Sequence, residues 1–237
     1  NEKDPDTTVC IVGKHPSLRG SGLGKLIDSH DIVVRINPWY SVYGDIGPKD
    51  RGEKTNHINS NPYHIFRDSL KPYRIKDLKR ALSEMSDSGK NKKTIYVPIP
   101  DESWFRYRDN GPFIGHIHGD FSVTQKLENY EKALNLCKSF DIALKIRKMT
   151  TLANSINDMI VYFNNHQGNS HGLLSGTETV LYYMEHFKRV SVAGFSWSTE
   201  EYEKLVINPK DGWANQYQYD CFFLNEALDR GLISKLG

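Results

Sequence analysis

Apolar and polar positions along this chain come in blocks, and the blocks predict strands and helices in alternation. Thr8–Val12 (TVCIV) is an unbroken, β-branched apolar run, the pattern of a strand buried on both faces of a parallel sheet. Gly13 ends it, Leu26 and Ile27 continue at helical spacing, and Asp31–Ile36 (DIVVRI) reads as the next strand. Thr94–Ile99 predicts a further buried strand, Ile142–Ile146 a short one and Lys188–Phe195 another. Between them, Tyr63–Leu82 predicts helix in two pieces around Pro72, followed by a charged connector over Ser83–Lys93. Leu127, Tyr130, Ala133, Leu134 and Cys137 fall on one helical face, and Thr151–Asn165, the stretch after Leu174 and Phe222–Arg230 predict three more helices. Residues 1–7 read as a polar frayed end, Pro38–Pro48 and Gln167–His171 as loops. This alternation predicts a single α/β domain over residues 1–237, Rossmann-like, with a mostly parallel sheet of about six or seven strands flanked by helices.

The first turn narrows the chemistry. Ser17–Gly24 carries five small residues, which would leave backbone N–H groups facing an anion, and a βαβ start with such a turn is the usual cradle for a nucleotide phosphate. Gly20, Gly22 and Gly24 lack the longer last gap of the dinucleotide fingerprint, and Asn37 rather than an acid follows the second strand. Both features argue against an NAD-type oxidoreductase. If Gly52–Asn61 is a strand, His57, Asn59 and Asn61 alternate on one face of it, either as a polar wall of a site or as an ordinary strand end capped by Asn side chains. Asp101–Asp120, rich in Trp, Tyr, Arg, Gly and His, is either a loop over a sugar site or an inert excursion.

Composition changes the picture little. A net charge of +2 gives no field to attract nucleic acid, and Lys90–Lys93 and Lys145–Lys148 read as solvated faces. No apolar run reaches the length of a membrane span. Cys10, Cys137 and Cys221 have no metal-ligand spacing, and the first two read as small core residues.

The stretch VGKHPSLRGSGLGKLIDSHDIVVRIN resembles the large sialyl motif of the animal-type sialyltransferases, VGNS.NLRGSGLG..IDSHD.V.R.N. Identities fall on Gly13, Leu18, Arg19, Gly20, Ser21, Gly22, Leu23, Gly24, Ile27, Asp28, Ser29, His30, Asp31, Val33, Arg35 and Asn37. Later, Ser175, Gly176, Val180, Leu181, Val190, Val192, Gly194 and Phe195 resemble the small motif, in the right order. The resemblance implies the sialyltransferase variant of the Rossmann-like fold, with Gly52–Asn61, which matches the family's G.KT.H segment, as a third strand. It also implies an inverting, metal-independent transferase that takes a 3-deoxy-ulosonic acid (Kdo or sialic acid) from its CMP donor. The receiving group would be a sugar hydroxyl, in capsule, lipopolysaccharide or glycan synthesis. No separate cofactor is implied; the partners are the CMP-sugar and a glycan acceptor, with other modules of a longer enzyme an open alternative. The family's disulfide positions fall on Val9 and Phe187, so that staple is missing. Its absence favours a bacterial cytoplasm, with the Golgi lumen as the alternative for a truncated eukaryotic member.

Residue by residue, the resemblance implies nucleotide or phosphate contacts at Gly13, Lys14, Asn37, Ser175 and Gly176, with Thr177 extending the donor turn by position. Lys14 replaces the family's Asn; its hydrated ammonium neutralises a phosphate but cannot reproduce an amide's paired donor and acceptor. His57 and Asn59 are the candidate substrate wall. The family's last motif, His-x4-Glu, supplies the base that deprotonates the acceptor. Here Asn215 and Asp220 hold that spacing, and a neutral amide has no usable proton affinity near neutrality. Three readings stand side by side: a histidine replaced by asparagine to trap substrates, a catalytically inactive CMP-sugar-binding module, or a base elsewhere, at His57, His171 or Asp220.

Overall fold

The computed structural model describes residues 2–37, 46–62, 65, 72–87, 92–99, 123–166, 173–198, 200 and 214–237. The strands β1 (Asp4–Val12), β2 (Ile32–Ile36), β3 (His57–Asn59), β4 (Thr94–Ile99), β5 (Ala143–Lys148), β6 (Phe187–Ala193) and β7 (Ser234–Lys235) form one sheet. Their order is β5-β4-β3-β2-β1-β6-β7, and every pairing among them is parallel. Parallel neighbours require crossovers, which supply the helices. These are α1 (Gly24–Asp28), α2 (Pro48–Arg51), α3 (Pro72–Asp87), α4 (Val123–Lys138), α5 (Thr151–His166), α6 (Ser175–His186) and α7 (Ala214–Asp229). The expected α/β class and parallel sheet are present. Among the described residues no helix is long and apolar enough to cross a membrane.

β1 shows why its sequence is apolar throughout. Val9 and Ile11 face α6 and α7, packing with Val180, Tyr183, Met184, Leu224 and Ala227. Cys10 and Val12 face the opposite layer with Leu18 and Ile27. The two-residue period therefore serves two cores at once. Burial pushes the Cys10 and Cys137 thiols up to about 12, so both behave as small core residues.

Four boundaries differ from the sequence expectation. β1 begins at Asp4, not Thr8: Asp4 pairs with Phe187, and its carboxylate accepts the N–H groups of Asp6 and Thr7. α3 runs through the supposed connector to Asp87, because Met85 continues the buried stripe of Leu78, Ala81 and Leu82 and no Gly or Pro interrupts it. The third strand shortens to His57–Asn59. α7 starts at Ala214 instead of Phe222, since Asn215–Asp220 contains no helix breaker.

The polar residues of the large motif tie loops to strands. Asp31 accepts the Thr8 N–H and hydroxyl at 2.8 and 2.7 Å. Asp28 accepts the N–H groups of Glu53 and Lys54. Arg35, only 4% exposed, donates to the Thr55 hydroxyl and to the carbonyls of Arg51, Gly52 and Lys54. This wrapping is what shortens β3. Arg35→Leu should cost about 3 kcal/mol or more, because it strands four acceptors, two of them buried and two half-buried; urea unfolding measures it, and a loss below about 1 kcal/mol would contradict the role.

The glycine turn is also corrected. Gly20 and Gly22 do adopt positive φ, but their N–H groups donate to the Asp50 carboxylate, both at 2.9 Å. The anion that this turn holds is the chain's own. Those hydrogen bonds lower the Asp50 pKa.

Candidate functional site

Chain progression reverses at β1: β2 lies on one side of it and β6 on the other. The crevice outside the carboxyl ends at such a switch point is where open α/β sheets bind ligands. There, the Gly13 N–H donates to the Ala193 carbonyl at 2.8 Å and the His15 N–H to the Gly194 carbonyl at 2.9 Å. A Cβ at Gly13 would lie 2.1 Å from the Gly194 carbonyl oxygen, so only glycine allows the two strand ends to close together. The Phe195 ring sits between Gly13 and Gly176: a Cβ on either would come within 3.2 and 3.0 Å of it. The small motif's Gly-Phe thus packs the amino end of α6 against the large motif.

Asn37, just past β2, has φ 54° and accepts the Asn61 N–H at 2.8 Å. Asn61 in turn donates through Nδ2 to the Ser175 hydroxyl at 3.3 Å. Five of the six predicted donor contacts are thereby linked around one rim: Gly13 and Gly176 through Phe195, Asn37 and Ser175 through Asn61, and half-buried Lys14 next to Gly13. Thr177 is 2% exposed, and its hydroxyl faces Asp220 of α7. What it can offer a ligand is its backbone N–H, in the unpaired first turn of the helix.

The polar wall exists, but it faces α6. Asn61 bonds Ser175, Asn59 Nδ2 donates to the Thr179 hydroxyl at 2.6 Å, and the His57 Nδ1 and Tyr183 hydroxyl are hydrogen-bonded at 2.7 Å. Two residues along a strand span about 6.6 Å and four along a helix about 6 Å. The period-two row His57, Asn59, Asn61 therefore matches the period-four row Tyr183, Thr179, Ser175. This corrects the assignment of His57 and Asn59 to a substrate wall. Asn59 is 1% exposed and its amide is consumed: Nδ2 also donates to Glu178 Oε2, and Oδ1 accepts from Arg147 Nη2. His57 lies two residues short of the strand end, and burial, with a smaller contribution from Lys145, pushes it down to about 4. It is not placed to act as a base at the rim.

Arg147 and Glu178 were not foreseen. They form a two-pronged pair at 2.8 Å for each prong, under the first turn of α6. The available sequence signal was the i, i+4, i+8 row Ser175, Thr179, Tyr183, which marks α6 as polar on its sheet face.

α7 closes the back of the site. The Asp220 carboxylate is 5% exposed and faces the Thr177 hydroxyl and the Leu174 N–H, with neither carboxylate oxygen making a full hydrogen bond. Burial pushes it up to about 7, against the smaller opposing pull of those two neighbours. The Cys221 thiol donates to the Ser196 carbonyl and Asn225 to the Trp197 carbonyl, holding the segment after β6. Asn215 lies in the first turn of α7, and its side chain is outside those described. Asp101–Asp120 and Gln167–His171, with the alternative base His171, also lie outside the described residues, as does most of Pro38–Pro48.

Residues 2–98 match the family model "Glycosyltransferase family 29 (sialyltransferase)". That stretch runs from β1 to β4, so α6 and α7 lie beyond it. Two crystal structures of a mammalian sialyltransferase are similar to this chain at 15% identity over 97% of its length. One, in complex with Gal-beta-1-3GalNAc-ortho-nitrophenol, is covered over 69% of its own chain with a TM-score of 0.49. The other is covered over 68% with a TM-score of 0.47. No curated protein sequence matches. The matched stretch, residues 2–98, contains the whole large motif, so that part of the chain is similar to the sialyltransferase family.

Proposed function

We propose that this chain is an inverting glycosyltransferase that passes a 3-deoxy-ulosonic acid, sialic acid or Kdo, from a CMP donor to a sugar hydroxyl. The observation that carries the reading is the convergence of Gly13, Asn37, Ser175 and Gly176, from both motifs, on the switch-point rim. The CMP leaving group is anionic, and the amino end of α6 offers it unpaired N–H groups and the positive end of a helix dipole. A single phosphate held in this way needs no metal. Lys14, beside the rim, adds a positive charge suited to the phosphate or to the carboxylate at the anomeric carbon of either sugar.

Asn215 favours a second reading, a module that binds CMP-sugars without transferring them. The test is transfer to a panel of glycan acceptors from CMP-sialic acid and from CMP-Kdo. Asn215→His should raise transfer at least about a hundredfold over the starting chain, the usual scale for a positioned base. Donor binding with no gain from histidine would contradict the transferase reading and leave the binding module.

A further inference from the structure

The donor reading puts an anion at the amino end of α6, yet the first turn of that helix carries a carboxylate of its own. Glu178 is wholly buried, three residues after Ser175. Uncompensated, its charge would oppose the half-unit positive end of the helix dipole and repel a phosphate. It is compensated from β5, the edge strand two places from β3. Arg147 donates Nη1 to Glu178 Oε1 and Nη2 to Oε2, both at 2.8 Å, and also Nη2 to Asn59 Oδ1 at 2.9 Å. Its guanidinium lies 3.7 Å from the centre of the Tyr182 ring, one helical turn beyond Glu178.

We propose that Arg147 is a charge-balancing, positioning residue for the donor: it cancels Glu178 and fixes the first turn of α6, so that the turn attracts an anion. The proposal rests on the donor reading above. Stability alone does not call for the pair, since well-packed apolar residues commonly replace a buried ion pair at no loss. What apolar residues cannot supply is the directional fork joining Glu178 to Asn59, and through Asn59 to Thr179. That fork sets where the N–H groups of Ser175, Gly176 and Thr177 point.

The test is calorimetric binding of CMP and of uncharged cytidine at pH 6, where the other acid at this helix end, Asp220, holds its proton. The readout is the preference for CMP over cytidine, which general damage to the fold does not move. One charge close to the phosphate changes that preference by about tenfold. Arg147→Gln should lower it by about that factor, Glu178→Gln should raise it, and the double variant should return to within about twofold of the starting chain. Arg147→Lys, which keeps the charge and loses the fork, should weaken both ligands while holding the preference. If Arg147→Gln does not fold, Arg147→Lys, Glu178→Gln and the double variant decide in the same way. A preference unchanged across the series, or one moved in the same direction by both single changes, overturns the proposal while CMP binding stands. No CMP binding by the starting chain overturns the donor reading itself, and this proposal with it.

Discussion

Gly13→Ala should abolish CMP binding and lower the thermal midpoint by about 6–12 °C. The added methyl would sit 2.1 Å from the Gly194 carbonyl oxygen, a backbone atom that cannot swing aside. Relief requires β1 and β6 to part at their carboxyl ends, breaking the bonds from Gly13 to Ala193 and from His15 to Gly194. Overpacking of this kind costs about 3 kcal/mol, which in a domain of this size corresponds to that midpoint shift. The same movement carries Phe195 away from Gly176 and opens the rim. Gly47→Ala is the control: its Cβ meets nothing within 4 Å and its φ is −73°. Its effect should stay within about 0.5 kcal/mol. Differential scanning calorimetry of the two variants makes the comparison; equal, small shifts would contradict the close-approach argument.

Asp220→Asn should stabilise the protein at pH 8 by roughly 2–4 kcal/mol and leave it nearly unchanged at pH 4. The folded-state pKa of Asp220 is raised by burial from 3.8 to about 7, so the folded chain binds this proton more tightly than the unfolded chain does. Stability therefore falls as pH rises from about 4 to about 7 and stays low above that. His57 works in the opposite sense. Its pKa is lowered from 6.5 to about 4, so stability rises with pH between those values. Over the shared window the two slopes oppose each other, and the starting chain should show little net pH dependence there. Asp220→Asn removes the falling slope and exposes the rising one. Urea unfolding at pH 4, 6 and 8 reads both effects; a variant whose advantage does not grow with pH would contradict the burial of an unpaired carboxylate at Thr177.

These two sites also mark how far the sequence could be read. The βαβ start was legible because TVCIV has no polar residue for a solvent face, and the helix–strand unit of the small motif was legible from its periodicity. The period-two row of β3 was legible as a polar face. Its partner was not, because choosing between substrate and helix requires knowing that α6 crosses β3 in matching register. The glycine turn shows the same limit. Positive φ at Gly20 and Gly22 could be anticipated from the residues, but the carboxylate that fills the turn comes from Asp50, some thirty positions away. Arg147 read as part of a solvated basic run, since nothing local shows that one member of KIRK turns inward to a buried glutamate. Helix starts were misplaced where a run without breakers, such as Asn215–Asp220, looked like an approach to a helix and is its first turns.

The central claim is that both motifs build one donor site at the switch point. Calorimetric titration of the chain with CMP, CMP-sialic acid and CMP-Kdo tests it most directly. The account predicts saturable one-to-one binding of CMP, lost in Gly13→Ala, with one of the two sugar donors bound more tightly than the other. Absence of CMP binding by a folded chain would contradict it.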